Sequence, residues 1–212
     1  MNKIKLTENI YPGKLIVFEG TDGAGKTTLI NLTYSYLTKK YPNKEIILLK
    51  QPTNAVRNTS MFQKMMFDEK HDNINYKAVQ LLTLSDRIQQ NYEIIIPALK
   101  EKKIIICDRY IYTSIANMRA RNYRNEGWFY EAAEEIIKPN IAFLAFVEPE
   151  IAISRIRQRK EEKNRYLDEK LLHRVTNEFL LLSIESNLKL IDSSNSSDIT
   201  FNYIKKELDK NV

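Results

Sequence analysis

The segment Gly20-Thr-Asp-Gly-Ala-Gly-Lys26-Thr27 carries the clearest chemistry in the chain. Its spacing, G-x-x-x-x-G-K-[ST], is that of a loop whose backbone N–H groups curl round a phosphate. Glycines suit such a loop because the turn visits backbone angles that L side chains avoid and because the anion comes close to the backbone. A helix that starts at the end of the loop points its positive dipole end at the same anion. Lys26 can bridge the β- and γ-phosphates of a nucleoside triphosphate, and the Thr27 hydroxyl can ligate Mg²⁺. The expected ATP-binding set is Gly20, Asp22, Gly23, Ala24, Gly25, Lys26, Thr27 and Thr28, the last as a first-turn helix residue. The Asp22 carboxylate either faces the phosphates or simply serves the turn, which Asp favours.

A second cluster follows the run KIIIC at 103–107. Asp108, at the carboxyl end of a parallel strand, lies where open sheets bind ligands and can hold Mg²⁺ directly or through water. The competing reading makes it the N-cap of the next helix. Arg109 is placed to clamp a phosphate with two parallel hydrogen bonds. Arg155, Arg157, Arg159, Lys160, Lys163 and Arg165 form a basic segment broken by Glu161 and Glu162. Such a run is either a solvated face or a mobile loop that supplies an arginine during phosphoryl transfer. Arg155 and Arg159, four apart, are expected on one helix face. On spacing alone, Arg87 is an ordinary exposed helix charge.

Apolar runs alternate with helical patterns and supply the frame for these residues. Strands are expected at 15–19 (LIVFE), 46–49, 103–107, 141–147 and 188–191. Their continuous apolar character fits strands buried on both faces. Helices are expected at 26–41, 56–67, 75–102 with Pro97 as a kink or break, 110–121, 128–137, 149–159, 168–186 and 199–208. The alternation implies an α/β fold, a mostly parallel five-stranded sheet with helices on both faces, in one domain over 1–212. Residues 1–13 form an N-terminal extension, and the Lys-rich ends read as solvated surface.

Composition removes several classes. The 212 residues include 33 Lys and Arg against 27 Asp and Glu, a formal charge of +6 that favours anionic partners. One cysteine, Cys107, excludes a disulfide framework and a cysteine zinc site, and suits a cytoplasmic setting. His71 and His173 lie far apart and read as surface or packing residues. No apolar run reaches the ~18–20 residues that span a bilayer, and the first residues lack the apolar core of a signal peptide.

The pieces together resemble the thymidylate kinase family of nucleoside monophosphate kinases, over about residues 14–208. FEGTDGAGKTT (18–28), KQPT (50–53), SDRIQQ (85–90), ICDRY (106–110), IKPNIAFLAFVEPEIAISRI (137–156) and the Arg-rich segment occur in family order. The resemblance implies a three-layer P-loop fold with an Arg-rich lid near 157–168. It implies Mg²⁺-dependent transfer from ATP to a nucleoside monophosphate, most readily dTMP, in a homodimer. Under it Asp22 approaches the acceptor sugar, Arg87 holds the base, Arg109 the acceptor phosphate, and Arg57 is a further phosphate arginine. With Gly-Ala-Gly and no arginine in its phosphate loop, the chain resembles the subgroup that carries its catalytic arginine in the lid, which implies Arg155, Arg159 or Arg165, with Arg159 first.

Departures concern the acceptor pocket. Gln51 precedes Pro52 where the family has Glu. Thr83 stands where an aromatic stacks on the base, and Thr113, Ser114 and Asn117 fill positions that carry Ser, a polar residue and Tyr. With nucleotides accounting for the positive charge, neither nucleic acid nor membrane is needed as a partner. Two alternatives share these residues: a P-loop kinase of another nucleotide acceptor, and a non-catalytic NTP-binding module.

Overall fold

The computed structural model describes residues 3–71, 73–160, 162 and 166–212. Five strands form one sheet: β1 (Lys14–Glu19), β2 (Ile46–Lys50), β3 (Ile104–Asp108), β4 (Ile141–Phe146) and β5 (Lys189–Asp192). Their order is β2-β3-β1-β4-β5, and every pairing is parallel. The chain leaves β1, fills one side of the sheet with β2 and β3, then crosses to the other with β4 and β5. That reversal puts the crevice at the carboxyl ends of the central strands, where an open parallel sheet binds ligands.

The β1 sequence shows why its strand has no apolar–polar alternation. Leu15 and Val17 face one core layer with Ile105 and Cys107, while Ile16 and Phe18 face the other with Ile104 and Ile106. Successive side chains point to opposite faces, so burial on both sides needs an apolar residue at every position. Phe18 stacks on Phe143 of β4 with centroids 5.2 Å apart. The first layer is closed by α4 (Tyr76–Gln90), α6 (Ile111–Ala120), α7 (Gly127–Ala132) and α9 (Glu169–Glu185). The second is closed by α1 (Lys26–Lys40), α8 (Pro149–Gln158) and α10 (Ser197–Asn211).

Several expectations change. β2 is not buried on both faces: it is an edge strand, with Leu48 half exposed. The helix expected at 56–67 is two, α2 (Asn54–Arg57) and α3 (Ser60–Phe67). Thr59 divides them, because its side chain accepts from the Phe62 N–H as the N-cap of α3. The long helix at 75–102 breaks before Pro97, through a π-helical turn (Asn91–Ile95) that leads into α5 (Ile96–Lys100). Pro97 sits in the first turn of α5, where its missing N–H costs little. The helix expected at 128–137 ends at Ala132, followed by a 3₁₀ turn (Ala133–Glu135). Its last residues are used otherwise: Thr7 bridges Ile137 as a parallel β-bridge. The N-terminal stretch is therefore packed, with Ile4, Leu6 and Tyr11 against the core.

Candidate active site

The phosphate loop joins β1 to α1, and its glycines have definite jobs. Gly20 has φ +134°, and a Cβ there would lie 2.4 Å from the Ala145 carbonyl oxygen of β4. Gly23 has φ +82° and meets the Ala152 carbonyl at the same 2.4 Å. The loop is braced from behind. Arg155 donates to the Gly23 carbonyl at 3.3 Å and to the Ser193 carbonyl at 3.0 Å, while the Ser193 hydroxyl donates to the Ala24 carbonyl at 2.8 Å. Lys26 is buried and donates to the carbonyls of Gly20 (3.0 Å) and Thr21 (2.8 Å). Burial, with some repulsion from Arg109, lowers its amine to about 7, against the pull of Asp22, Asp108 and Glu19. Thr27 and Thr28 are exposed on the first turn of α1.

Arg109 approaches the same loop from the end of β3. Its φ is +68° and its N–H bonds to the Phe18 carbonyl at 2.8 Å. The left-handed bend aims the guanidinium back at the loop, where one nitrogen donates to the Gly20 carbonyl at 2.9 Å and the other pairs with Asp22 at 2.5 Å. Burial tends to lower the Arg109 guanidinium, yet Asp22, Asp108 and Glu19 outweigh it and hold it above its ordinary value. Asp108 does not cap α6, whose N-cap is Tyr110. Asp108 Oδ1 is buried with no hydrogen-bond partner among the described residues, and Oδ2 lies 3.8 Å from the Lys50 amine.

The cap of α6 comes from Glu19, a residue the sequence reading passed over. Its Oε1 accepts from the N–H groups of Tyr110 (2.9 Å) and Thr113 (3.1 Å), and Oε2 from the Thr113 hydroxyl (2.5 Å). Desolvation pushes this carboxyl up to about 7, against those hydrogen bonds and the nearby Arg109 and Arg87. A carboxylate ending the apolar run LIVFE was the available signal, because a fully buried charge needs partners.

Arg87 is the largest correction. It is 1% exposed, not a surface charge, and lies at the cleft floor. It donates to the Thr83 carbonyl at 3.1 Å, while its Nε is buried with no partner among the described residues. Burial lowers it to about 10, opposed by Glu19 and Asp86. Asp86 in turn accepts from the Thr53 N–H at 2.8 Å and pins the segment after β2. Arg57 is tied to that segment, donating to the carbonyls of Pro52 (2.7 Å) and Gln51 (3.0 Å).

One cleft of about 980 Å³ collects nearly all the expected residues. Asp22, Gly23, Gly25, Lys26, Thr27, Thr28 and Asp108 line it beside Arg57, Thr83, Arg87, Arg109, Thr113, Ser114, Asn117 and Arg159. Gly20 and Ala24 support it from behind the loop. Asn117 has both ends of its amide engaged, donating to the Thr113 carbonyl and accepting from Arg121 at 2.9 Å. The two arginines expected on one helix face part company. Arg155 holds the phosphate loop, whereas Arg159 caps the end of α8, pairs with Glu162 at 3.2 Å and lines the cleft. Lys163 and Arg165 lie outside the described residues. Sequence reasoning also missed Tyr76, Gln80 and Arg121 on the cleft wall. The Arg121 guanidinium sits 4.3 Å over the Tyr76 ring. The 3–4 residue spacing back from Arg87 would have found the first two.

Comparisons with known proteins point to one family and one fold. A family model described as thymidylate kinase matches residues 18–204. The thymidylate kinase of Aster yellows witches'-broom phytoplasma is 31% identical over 201 residues, 91% of this chain and 95% of the relative. That of Thermosipho africanus is 30% identical over 93% of this chain and 98% of its own length. A crystal structure of thymidylate kinase from Ehrlichia chaffeensis superposes with a TM-score of 0.68 at 23% identity, covering 92% of this chain and 98% of that one, a likeness of fold.

Proposed function

This chain belongs to the thymidylate kinase family, and we propose that it transfers the γ-phosphoryl group of ATP to dTMP, giving ADP and dTDP. The observation that carries this reading is the meeting of two cations from two strand ends at one atom. Lys26, from the phosphate loop, and Arg109, from the end of β3, both donate to the Gly20 carbonyl, at 3.0 and 2.9 Å. A donor phosphate held by the first and an acceptor phosphate held by the second would be neighbours in one cleft.

In this reading an oxygen of the acceptor phosphate attacks the γ-phosphorus as the bond to the β–γ bridging oxygen breaks. The protein's part is positioning and charge stabilisation, since the reaction needs little covalent help. The loop amides and Lys26 hold the triphosphate. Arg109 and Arg57 hold the acceptor phosphate, Arg87 the base, and Asp22 lies towards the acceptor sugar. Arg159, in the 157–168 segment taken as the lid, neutralises the charge that builds up on the transferred group. Thr27 and Asp108 would hold Mg²⁺. The fit rests on the buried, unpartnered Asp108 Oδ1 and the exposed Thr27 side chain at the cleft. Among the described residues no three His, Cys, Asp or Glu gather into a metal site, which suits an ion that keeps waters and phosphate oxygens as ligands. The ion, when bound, offsets phosphate charge.

The cytoplasm is the proposed setting, in keeping with a single buried cysteine and with no helix long and apolar enough to cross a membrane among the described residues. A homodimer is proposed from the family resemblance. The test is a panel of nucleoside monophosphates with ATP and Mg²⁺. dTMP is expected among the best acceptors, and Lys26→Ala is expected to abolish diphosphate formation. A panel led by another base would replace the acceptor, and no product with any acceptor would leave only an NTP-binding module.

A further inference from the structure

Helix α4 turns a polar stripe towards the cleft. Tyr76, Gln80, Thr83 and Arg87 follow one another at spacings of four, three and four, which places them on one helix face. All four are at least nine-tenths buried, and all line the cleft. Within the stripe most polar groups are used. The Thr83 hydroxyl donates to the Gln80 carbonyl at 3.1 Å, and Arg87 donates to the Thr83 carbonyl at 3.1 Å. Among the described residues, two buried groups have no partner: the side-chain oxygen Oε1 of Gln80, an acceptor, and Nε of Arg87, a donor.

A buried amide oxygen without a partner is costly and rare, so its place in a binding site calls for a ligand group. The Gln80 side chain also hydrogen-bonds to Tyr76, and because the terminal torsion of glutamine is soft, a turn about it exchanges the amide oxygen and nitrogen. The neighbours leave the task to Gln80. Thr83 has no ring to hold a base by stacking, and both ends of the Asn117 amide are engaged. Arg121 is fixed over Tyr76 and against Asn117.

We propose that Gln80 is a specificity-determining residue of the acceptor pocket: its side-chain oxygen accepts from the ring N3–H of a keto-pyrimidine, while Arg87 donates to the adjacent ring carbonyl. An acceptor beside a donor matches the N–H and C=O edge of thymine or uracil. Cytosine presents the reverse pattern, a bare N3 and an amine, and would leave both protein groups facing like groups. The proposal rests on reading this end of the cleft as the acceptor-base pocket.

The experiment compares the intact protein with Gln80→Leu and Gln80→Asn, using dTMP, dUMP and dCMP as acceptors. dTMP turnover by the intact protein comes first, because its absence would sink the kinase reading separately. Both variants are expected to raise KM for dTMP and dUMP about tenfold, the usual size of one lost buried hydrogen bond in a binding site. The kcat and the KM for ATP should change less than about threefold. The dTMP-to-dCMP ratio of kcat/KM should fall about tenfold or more. An unchanged ratio, or equal losses for every acceptor and for ATP, overturns the proposal, since a merely structural glutamine would weaken all substrates alike. If neither variant folds, the intact protein decides through N3-methyl-dTMP, which lacks the donor. At least tenfold poorer use than dTMP is expected, and equal use overturns the assignment.

Discussion

Glu19 offers a quantitative test of how the site is held together. It is wholly buried and caps the first turn of α6, the helix that carries Thr113, Ser114 and Asn117 into the cleft. Its carboxyl has an ordinary value of 4.5 and is raised to about 7, mainly by desolvation. A carboxyl raised on folding favours the folded state fully below its unfolded value, and that contribution is lost as pH rises through the folded one. The stability owed to Glu19 is thus present below about pH 4.5 and disappears towards pH 8. Between pH 5 and pH 8 the loss works out at about 2–3 kcal/mol. Glu19→Gln keeps the shape, and its amide oxygen can still accept from the Tyr110 and Thr113 N–H groups, but it does not ionise. Urea or thermal unfolding of both proteins at pH 5 and pH 8 is the assay. The variant should gain on the parent by about 2–3 kcal/mol between the two, or roughly 5–10 °C in Tm for a chain of this length. Lys26, lowered to about 7, pulls the other way in both proteins, and because Glu19 draws the Lys26 amine up, the difference between them reads Glu19 together with that coupling. Parallel stability curves across this range, or a variant that loses ground as pH rises, would refute the account of Glu19 as a charge buried at a cost.

Three more substitutions probe the loop and the proposed ion site. Gly20→Ala drives a Cβ to 2.4 Å from the Ala145 carbonyl and should destabilise by more than ~3 kcal/mol in urea melts, whereas Gly25→Ala meets nothing closer than 3.9 Å and should cost only the ~1 kcal/mol of a left-handed backbone. Equal costs would contradict the packing of the loop on β4. Asp108→Asn removes a carboxylate without removing a hydrogen bond, so the melting temperature should hold while the Mg²⁺ concentration for half-maximal rate rises about tenfold. An unchanged Mg²⁺ requirement would remove Asp108 from the metal site.

The phosphate loop, the five strands and the DRY segment were legible in the sequence because each depends on local rules. A glycine pattern before a lysine, and apolar runs between helical periods, need no distant residue to be recognised. The limits of that reading follow the same logic. Thr59 split a helix through one side-chain cap, and the long one was interrupted by a π-helical turn that ends two residues before Pro97. Spacing made Arg87 a surface charge, because nothing within its own helix shows that it is buried near Glu19 of β1 and Cys107 of β3.

What the sequence determined by itself was the parallel sheet, the phosphate loop and the positions of the cations proposed to serve phosphates. Tertiary structure alone decided how those cations divide. Arg155 and Arg159, four residues apart, went to opposite duties because α8 ends between them. Glu19 became the cap of a helix more than ninety residues away, and Gln80 was left with an oxygen that no neighbour among the described residues satisfies. Both outcomes depend on burial, which sets the cost of a charge or an unpaired polar atom, and burial is a property of what packs against a residue rather than of the residues beside it in the chain.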